Sequence, residues 1–174
     1  MTEGDFEHST LSQQLRFLER LVGDENVTLI GSSMGGYLAA LFAARHPQNV
    51  DRLVLMAPAF GLARRWTDML GVAVMQEWQK LGWRPVYHYG EEREAWIGYD
   101  LVADGLKYEE YPEVRQPTLI FHGRRDESVD YRLSVEFART RPNVELVLMD
   151  SDHQLLDQLE AIGGRTQQFC IDAL

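Results

Sequence analysis

The sequence predicts an α/β fold: a mainly parallel sheet flanked by helices, with an inserted cap. Three observations carry that expectation. Four short runs rich in Val, Ile and Leu are each followed by turn-type or polar residues. Segments with helical periodicity lie between those runs, the alternation that builds parallel sheets. One connection is much longer than an ordinary crossover and holds every tryptophan of the chain.

In chain order, Leu11, Leu15, Leu18 and Leu21 recur at helical spacing together with Phe17. They predict an amphipathic first helix, which Ser9 or Thr10 can cap. Val27 to Ile30 is the first strand. Met34 to Arg45 (MGGYLAALFAAR) is Ala/Leu-rich and stops near His46 and Pro47, as a helix packed on a sheet does when proline excludes the helical region from its predecessor. Leu53 to Met56, Thr118 to Phe121 and Glu145 to Met149 are the other strands, and all four are expected to be parallel and buried. Arg132 to Arg139 and Gln154 to Ile162 have helical periodicity, and Gly163 and Gly164 fit a C-terminal stop.

Residues 59 to 112 hold Trp66, Trp78, Trp83 and Trp96 as well as Tyr87, Tyr89, Tyr99, Tyr108 and Tyr111. This stretch is expected to build a helical, aromatic cap of its own. The chain is 174 residues long, which suits a single domain, so residues 1–174 are read as one domain with 59–112 inserted.

With 45% hydrophobic and 25% charged residues, the composition is that of an ordinary folded protein rather than a disordered, collagenous or disulfide-stapled one. Cys170 is the sole cysteine and has no internal partner, and no basic start followed by an apolar run opens the chain. Both features point to a cytoplasmic protein. No apolar run is long enough to span a bilayer. The formal net charge of −10 is spread along the chain, and it disfavours nucleic acid and anionic lipid as partners.

The strongest chemical signal is Gly31-Ser32-Ser33-Met34-Gly35-Gly36, directly after the first strand and directly before the Ala-rich helix. It fits G-x-S-x-G. A nucleophile on a tight strand-to-helix turn needs small neighbours, so that the strained backbone fits and the hydroxyl stands clear. The next residue, Met34, then offers its backbone N–H to a developing oxyanion at a helix N-terminus. The blander reading of the same string is a glycine-rich turn that packs a helix closely on a strand.

A serine nucleophile needs a general base and a group that orients the base. His153, in Asp150-Ser151-Asp152-His153-Gln154, follows the fourth strand. Asp126, in His122-Gly123-Arg124-Arg125-Asp126, follows the third. With Ser33 they fall beyond the carboxyl ends of parallel strands, where open α/β sheets place their ligands. Asp130, Asp150 and Asp152 compete with Asp126 for the acid role; Asp150 and Asp152 can instead cap the helix after His153. Among the other histidines, His8 precedes the first helix, His46 ends a helix, His88 lies in the insertion, and His122 sits too close to its own strand. Arg124 and Arg125 read as solvated loop charges, with a lesser claim to steady Asp126 or an anionic substrate.

The segments GSSMGGYLA, FHGRRDESV and DSDHQL resemble the nucleophile, acid and histidine segments of the α/β-hydrolase superfamily. From about Asp24 the resemblance covers nearly all of the chain, and among the branches of the superfamily the sequence is similar to small serine esterases and acyl-thioesterases. It implies Ser33 as nucleophile, Asp126 as acid, His153 as base, the Met34 N–H in the oxyanion hole and residues 59–112 as a cap. One departure stands out. Members of the superfamily usually carry further strands before the nucleophile and a His-Gly loop that supplies a second oxyanion donor. Here no strand precedes Val27, and His122-Gly123 belongs to the acid strand. Thr2-Glu3-Gly4-Asp5-Phe6 resembles the loop that follows the family's fourth strand, so the chain reads as an N-terminally truncated version of that fold.

Two functions follow from this reading. The first is a serine hydrolase that cleaves a carboxylic ester or thioester through an acyl-enzyme, with no metal and no organic cofactor. Its substrate is a small molecule with an apolar group, which Trp66, Trp78, Trp83 and Trp96 either contact or merely enclose as the cap's own core. The second is a weakly active or inactive hydrolase-like protein that binds a partner, with a homodimer covering the open edge beside Val27 to Ile30.

Overall fold

The computed structural model describes residues 7–88 and 93–171, so the expectations placed on Thr2 to Phe6 and on Tyr89 lie outside the described residues. The chain divides into two compact units. One comprises Met1–Phe17 with Gly61–Glu110, the other Leu18–Phe60 with Tyr111–Leu174.

The second unit holds a parallel sheet. Its strands are β1 (Val27–Ser32), β2 (Val50–Met56), β5 (Thr118–Gly123) and β6 (Val144–Met149), in the order β1-β2-β5-β6. Register pairs Ile30 with Val54, Leu55 with Ile120 and Phe121 with Val147, so the carboxyl ends of the strands finish on one side. Helices α2 (Met34–Arg45), α5 (Arg132–Arg139) and α6 (Leu159–Ile171) accompany the sheet, with a 3₁₀ turn at Leu156–Gln158.

The four expected strands are present and parallel, but they are not equally buried. Every residue of β5 is buried, as are Leu53, Val54 and Leu55 of β2. In contrast β1 alternates, leaving Ile30 58% exposed, and β6 is partly exposed throughout. The physical reason is position: β2 and β5 are flanked on both sides, whereas β1 and β6 are the edge strands of the described sheet.

Helix α2 has the expected bounds and is buried from Gly36 to Ala43, packed on β1 and β2. A Cβ on Gly31 would run into the carbonyl oxygen of Gly35, so glycine is required where the strand turns into the helix. Helix α6 departs from expectation because Gly163 and Gly164 lie inside it. Two interior glycines cost helix stability. The helix nevertheless continues, since Ile162 and Phe169, seven residues apart on one face, both join the cluster of Val54, Leu119, Phe121 and Leu155.

Helix α1 (Leu11–Val22) starts with a reciprocal cap: the Thr10 hydroxyl accepts the Gln13 N–H (3.2 Å) and the Gln13 side chain accepts the Thr10 N–H (3.0 Å). Thr10, not Ser9, therefore makes the capping bonds. The buried stripe is Leu11, Leu15 and Val22, while Leu21 and Phe17 face outward. Leu21 and Val22 are adjacent and both apolar, so spacing alone did not choose between them.

The first unit contains α3 (Leu62–Leu81), kinked at Gly71, the antiparallel pair β3 (Trp83–His88) and β4 (Arg93–Gly98), and the short helix α4 (Asp100–Gly105). The sequence reading did not include this strand pair. Trp78 is its buried centre, donating its indole N–H to the Ile97 carbonyl (3.2 Å). Asp104, also buried, accepts the N–H and the hydroxyl of Ser12, both at 2.7 Å.

Candidate active site

Ser33 sits between β1 and α2 with φ 53° and ψ −120°, a conformation that costs an L-residue free energy and persists only where neighbours over-determine it. They do so here. The Ser33 N–H donates to the Met56 carbonyl (2.8 Å), and the Ser33 carbonyl accepts the N–H groups of Ala59 (3.0 Å), Gly36 (3.1 Å) and Tyr37 (3.2 Å). Strand β2, the loop after it and α2 thus all grip one residue. Met34 is the first residue of α2, so its N–H belongs to the turn whose donors have no carbonyl within the helix.

Across 120 residues of sequence, His153 Nε2 lies 3.1 Å from Ser33 Oγ. The Nδ1 of the same ring lies 2.7 Å from Asp126 Oδ2. A carboxylate beside Nδ1 selects the tautomer with the proton there, so Nε2 is the acceptor for the serine hydroxyl. Burial deepens along the series: Ser33 is partly exposed, the His153 side chain is 18% exposed, and the Asp126 side chain is fully enclosed.

The Asp126 carboxylate is held on every side. Oδ1 accepts the N–H groups of Ser128 and Val129, both at 2.8 Å, and Oδ2 accepts from His153 and from His122 Nε2 (3.1 Å). Burial opposes its ionisation, but the bonds from His122, His153 and the Val129 N–H, with the charge of His153, outweigh it and hold the carboxyl well below the usual carboxylate range. The competing acids are engaged elsewhere. Asp150 pairs with Arg125 (2.9 Å), Asp152 caps Gln154 and Leu155, and Asp130 accepts the Arg132 N–H.

The acid loop and the histidine loop are laced together by their backbones. The Arg124 N–H donates to the Met149 carbonyl (2.8 Å) and the Arg125 N–H to the Ser151 carbonyl (2.9 Å). A Cβ on Gly123 would collide with the carbonyl oxygens of Ser151 and Asp152, so only glycine lets the loops approach this closely. Arg125 does more than the solvated loop charge expected of it: its guanidinium reaches both the carboxylate and the carbonyl of Asp150 (3.0 Å to the latter). Sequence reasoning also passed over His122, which is fully buried and touches the carboxylate.

Of the tryptophans proposed to meet substrate, Trp78, Trp83 and Trp96 line one groove of about 380 Å³ in the first unit, with Val74, Leu81 and Arg84. Trp66 is not on that groove and packs against Trp78, ring centroids 5.4 Å apart. His8 lies edge-on to Trp83, and His46 stacks on Phe42. No helix among the described residues is long and apolar enough to cross a membrane.

Comparison with known proteins gives the same architecture. A family model described as an uncharacterised protein family, UPF0227, matches residues 2–165. The mitochondrial palmitoyl-protein thioesterase ABHD10 of Bos taurus is 27% identical over 171 residues, covering 91% of this chain and 55% of the relative. A 2-hydroxymuconate semialdehyde hydrolase of Pseudomonas sp. strain CF600 is 29% identical over 148 residues, covering 66% of this chain and 50% of the relative. Among solved structures, the mouse α/β hydrolase domain-containing protein 10 superposes with a TM-score of 0.76 at 23% identity, covering 92% of this chain and 70% of that one. The fold is that of the α/β hydrolases, and the chain spans about half the length of these two curated relatives.

Proposed function

We propose that this chain, which belongs to the UPF0227 family and carries the α/β-hydrolase fold, is a serine hydrolase that cleaves a carboxylic ester or thioester. The observation that carries the reading is the continuous chain of bonds from Ser33 Oγ to His153 Nε2 (3.1 Å) and from His153 Nδ1 to Asp126 Oδ2 (2.7 Å). Among the curated relatives are a thioesterase and a hydrolase, which supports the reaction class.

In the proposed mechanism Ser33 Oγ attacks the acyl carbonyl carbon while His153 Nε2 takes the hydroxyl proton. Asp126 holds the ring in the required tautomer and stabilises the imidazolium that forms. The Met34 N–H faces the oxyanion of the tetrahedral intermediate; one such donor is typically worth about 10² to 10³ in rate. Collapse breaks the bond to the alcohol or thiol, which leaves with the proton returned by His153. Water, deprotonated by the same nitrogen, then hydrolyses the acyl-enzyme and restores Ser33. The aromatic content of residues 59–112 supports an apolar acyl or aromatic group in the substrate.

A fluorophosphonate probe tests the reading. Wild-type protein should take one label at Ser33 and hydrolyse 4-nitrophenyl butyrate, and Ser33→Ala should do neither. No labelling, together with turnover equal to that of Ser33→Ala, would reject it.

A further inference from the structure

Asp126 Oδ2 receives two imidazoles, and the mechanism above uses only one. The second, His122, is the penultimate residue of β5, with its ring fully buried. Its Nε2 lies 3.1 Å from Asp126 Oδ2 and 2.9 Å from the Val129 carbonyl oxygen. Both of those atoms only accept, so the proton is on Nε2 and is shared between them. On the far side of the ring, Nδ1 is hydrogen-bonded to the hydroxyl of Ser134, 2.7 Å away on α5 and itself fully buried.

Ser134, His122 and Asp126 are the same three residue types as Ser33, His153 and Asp126. Two differences keep them from being a second reaction centre. The ring is reversed, with Nδ1 toward the serine, and both Ser134 and His122 are closed to any substrate.

The geometry of the carboxylate shows what His122 does instead. Oδ1 is pinned by two backbone N–H groups, those of Ser128 and Val129. Turning about Cβ–Cγ, a torsion with broad, shallow wells, moves both oxygens, so bonds to Oδ2 add to those on Oδ1 in fixing the carboxylate plane. Oδ2 is the oxygen that His153 needs, and His122 is its second anchor. The ring that supplies this anchor is fixed in turn at its far nitrogen by Ser134.

We propose that His122, locked by Ser134, is a positioning residue that holds Asp126 Oδ2 where His153 Nδ1–H reaches it. The inference rests on the hydrolase reading for its kinetic consequence, but not for its structural one.

The test uses two substitutions that differ in which ring nitrogen they replace. The amide of His122→Asn reaches the Nδ1 position, keeping the Ser134 partner and losing the donor to Asp126. The amide nitrogen of His122→Gln reaches the Nε2 position and keeps that donor. With 4-nitrophenyl butyrate, His122→Asn should lower kcat by about 10- to 100-fold with KM within about twofold, and His122→Gln should recover most of the loss. Independently of any substrate, proton NMR should show the downfield resonance of the His153 Nδ1–H bonded to Asp126 in wild type, displaced or lost in His122→Asn, and restored in His122→Gln. If His122→Asn does not fold, Ser134→Ala carries the same test, with a smaller displacement expected.

An unmoved resonance in the folded variant overturns the proposal, as does equal loss of kcat in the Asn and Gln variants. Absence of labelling in wild type, together with turnover equal to that of Ser33→Ala, rejects only the hydrolase reading, and the resonance still decides the role of His122.

Discussion

Gly123 lies so close under the carbonyl oxygens of Ser151 and Asp152 that no side chain fits between the turn bearing the acid and the turn bearing the histidine. The N–H groups of Arg124 and Arg125 then tie that approach to Met149 and Ser151. The distance from Asp126 to His153 is therefore set by backbone packing at the ends of β5 and β6 as well as by the two side chains. Gly123→Ala should force the loops apart, destabilising the protein by about 1 to 3 kcal/mol and lowering kcat by more than that loss of folded protein explains. Urea denaturation combined with kinetics normalised to folded protein would separate the two effects.

Asp126→Asn tests the orienting role proposed for this carboxylate. The amide cannot enforce a proton on His153 Nδ1, so kcat should fall by about 10³- to 10⁴-fold while the fold persists, as steady-state kinetics and circular dichroism would show.

The depressed carboxyl of Asp126 also implies a pH dependence of stability. Its ordinary value is 3.8, and the folded state holds it lower. On acidification the unfolded chain takes up this proton first, so the stabilisation is complete above the ordinary value and is lost as pH falls through the folded one. Wild type should lose stability below about pH 4, and the stability of Asp126→Asn should vary less with pH there, in urea melts taken from about pH 6 to pH 3.

The tryptophans of the first unit should separate by burial. Trp78 is 3% exposed and Trp96 is 51% exposed, although both line the same groove. Trp78→Ala should cost about 3 to 5 kcal/mol in thermal or urea unfolding, whereas Trp96→Ala should stay within about 1 kcal/mol. A large loss for Trp96→Ala would mean that its exposed ring is a structural member of the unit.

Much of the triad's arrangement was legible because its signals are local. The bounds of α2 follow from the strand before it and from His46-Pro47 after it, and the run beginning at Met34 is Ala/Leu-rich. Placing Ser33, Asp126 and His153 after the first, third and fourth parallel strands needed only the order of those strands. His122 was hidden because its role depends on a turn: Asp126 curls back through the Ser128 and Val129 N–H groups until its carboxylate lies beside the penultimate residue of the strand. The helical continuation through Gly163 and Gly164 was hidden for a different reason, since what holds it is the burial of Ile162 and Phe169 against a sheet that local sequence does not show. The strand pair Trp83–His88 with Arg93–Gly98 went unread because aromatic and charged residues mask its alternation.

The backbone at Ser33, with φ 53°, has a consequence for variants that lack the hydroxyl. Alanine at this position inherits the same unfavourable torsion, whereas glycine adopts it freely. Ser33→Gly should therefore melt at a higher temperature than Ser33→Ala, although neither can form an acyl-enzyme. Selection for thermal tolerance alone would drift toward loss of the proposed nucleophile, so a screen for hardier forms of this protein must score turnover alongside melting.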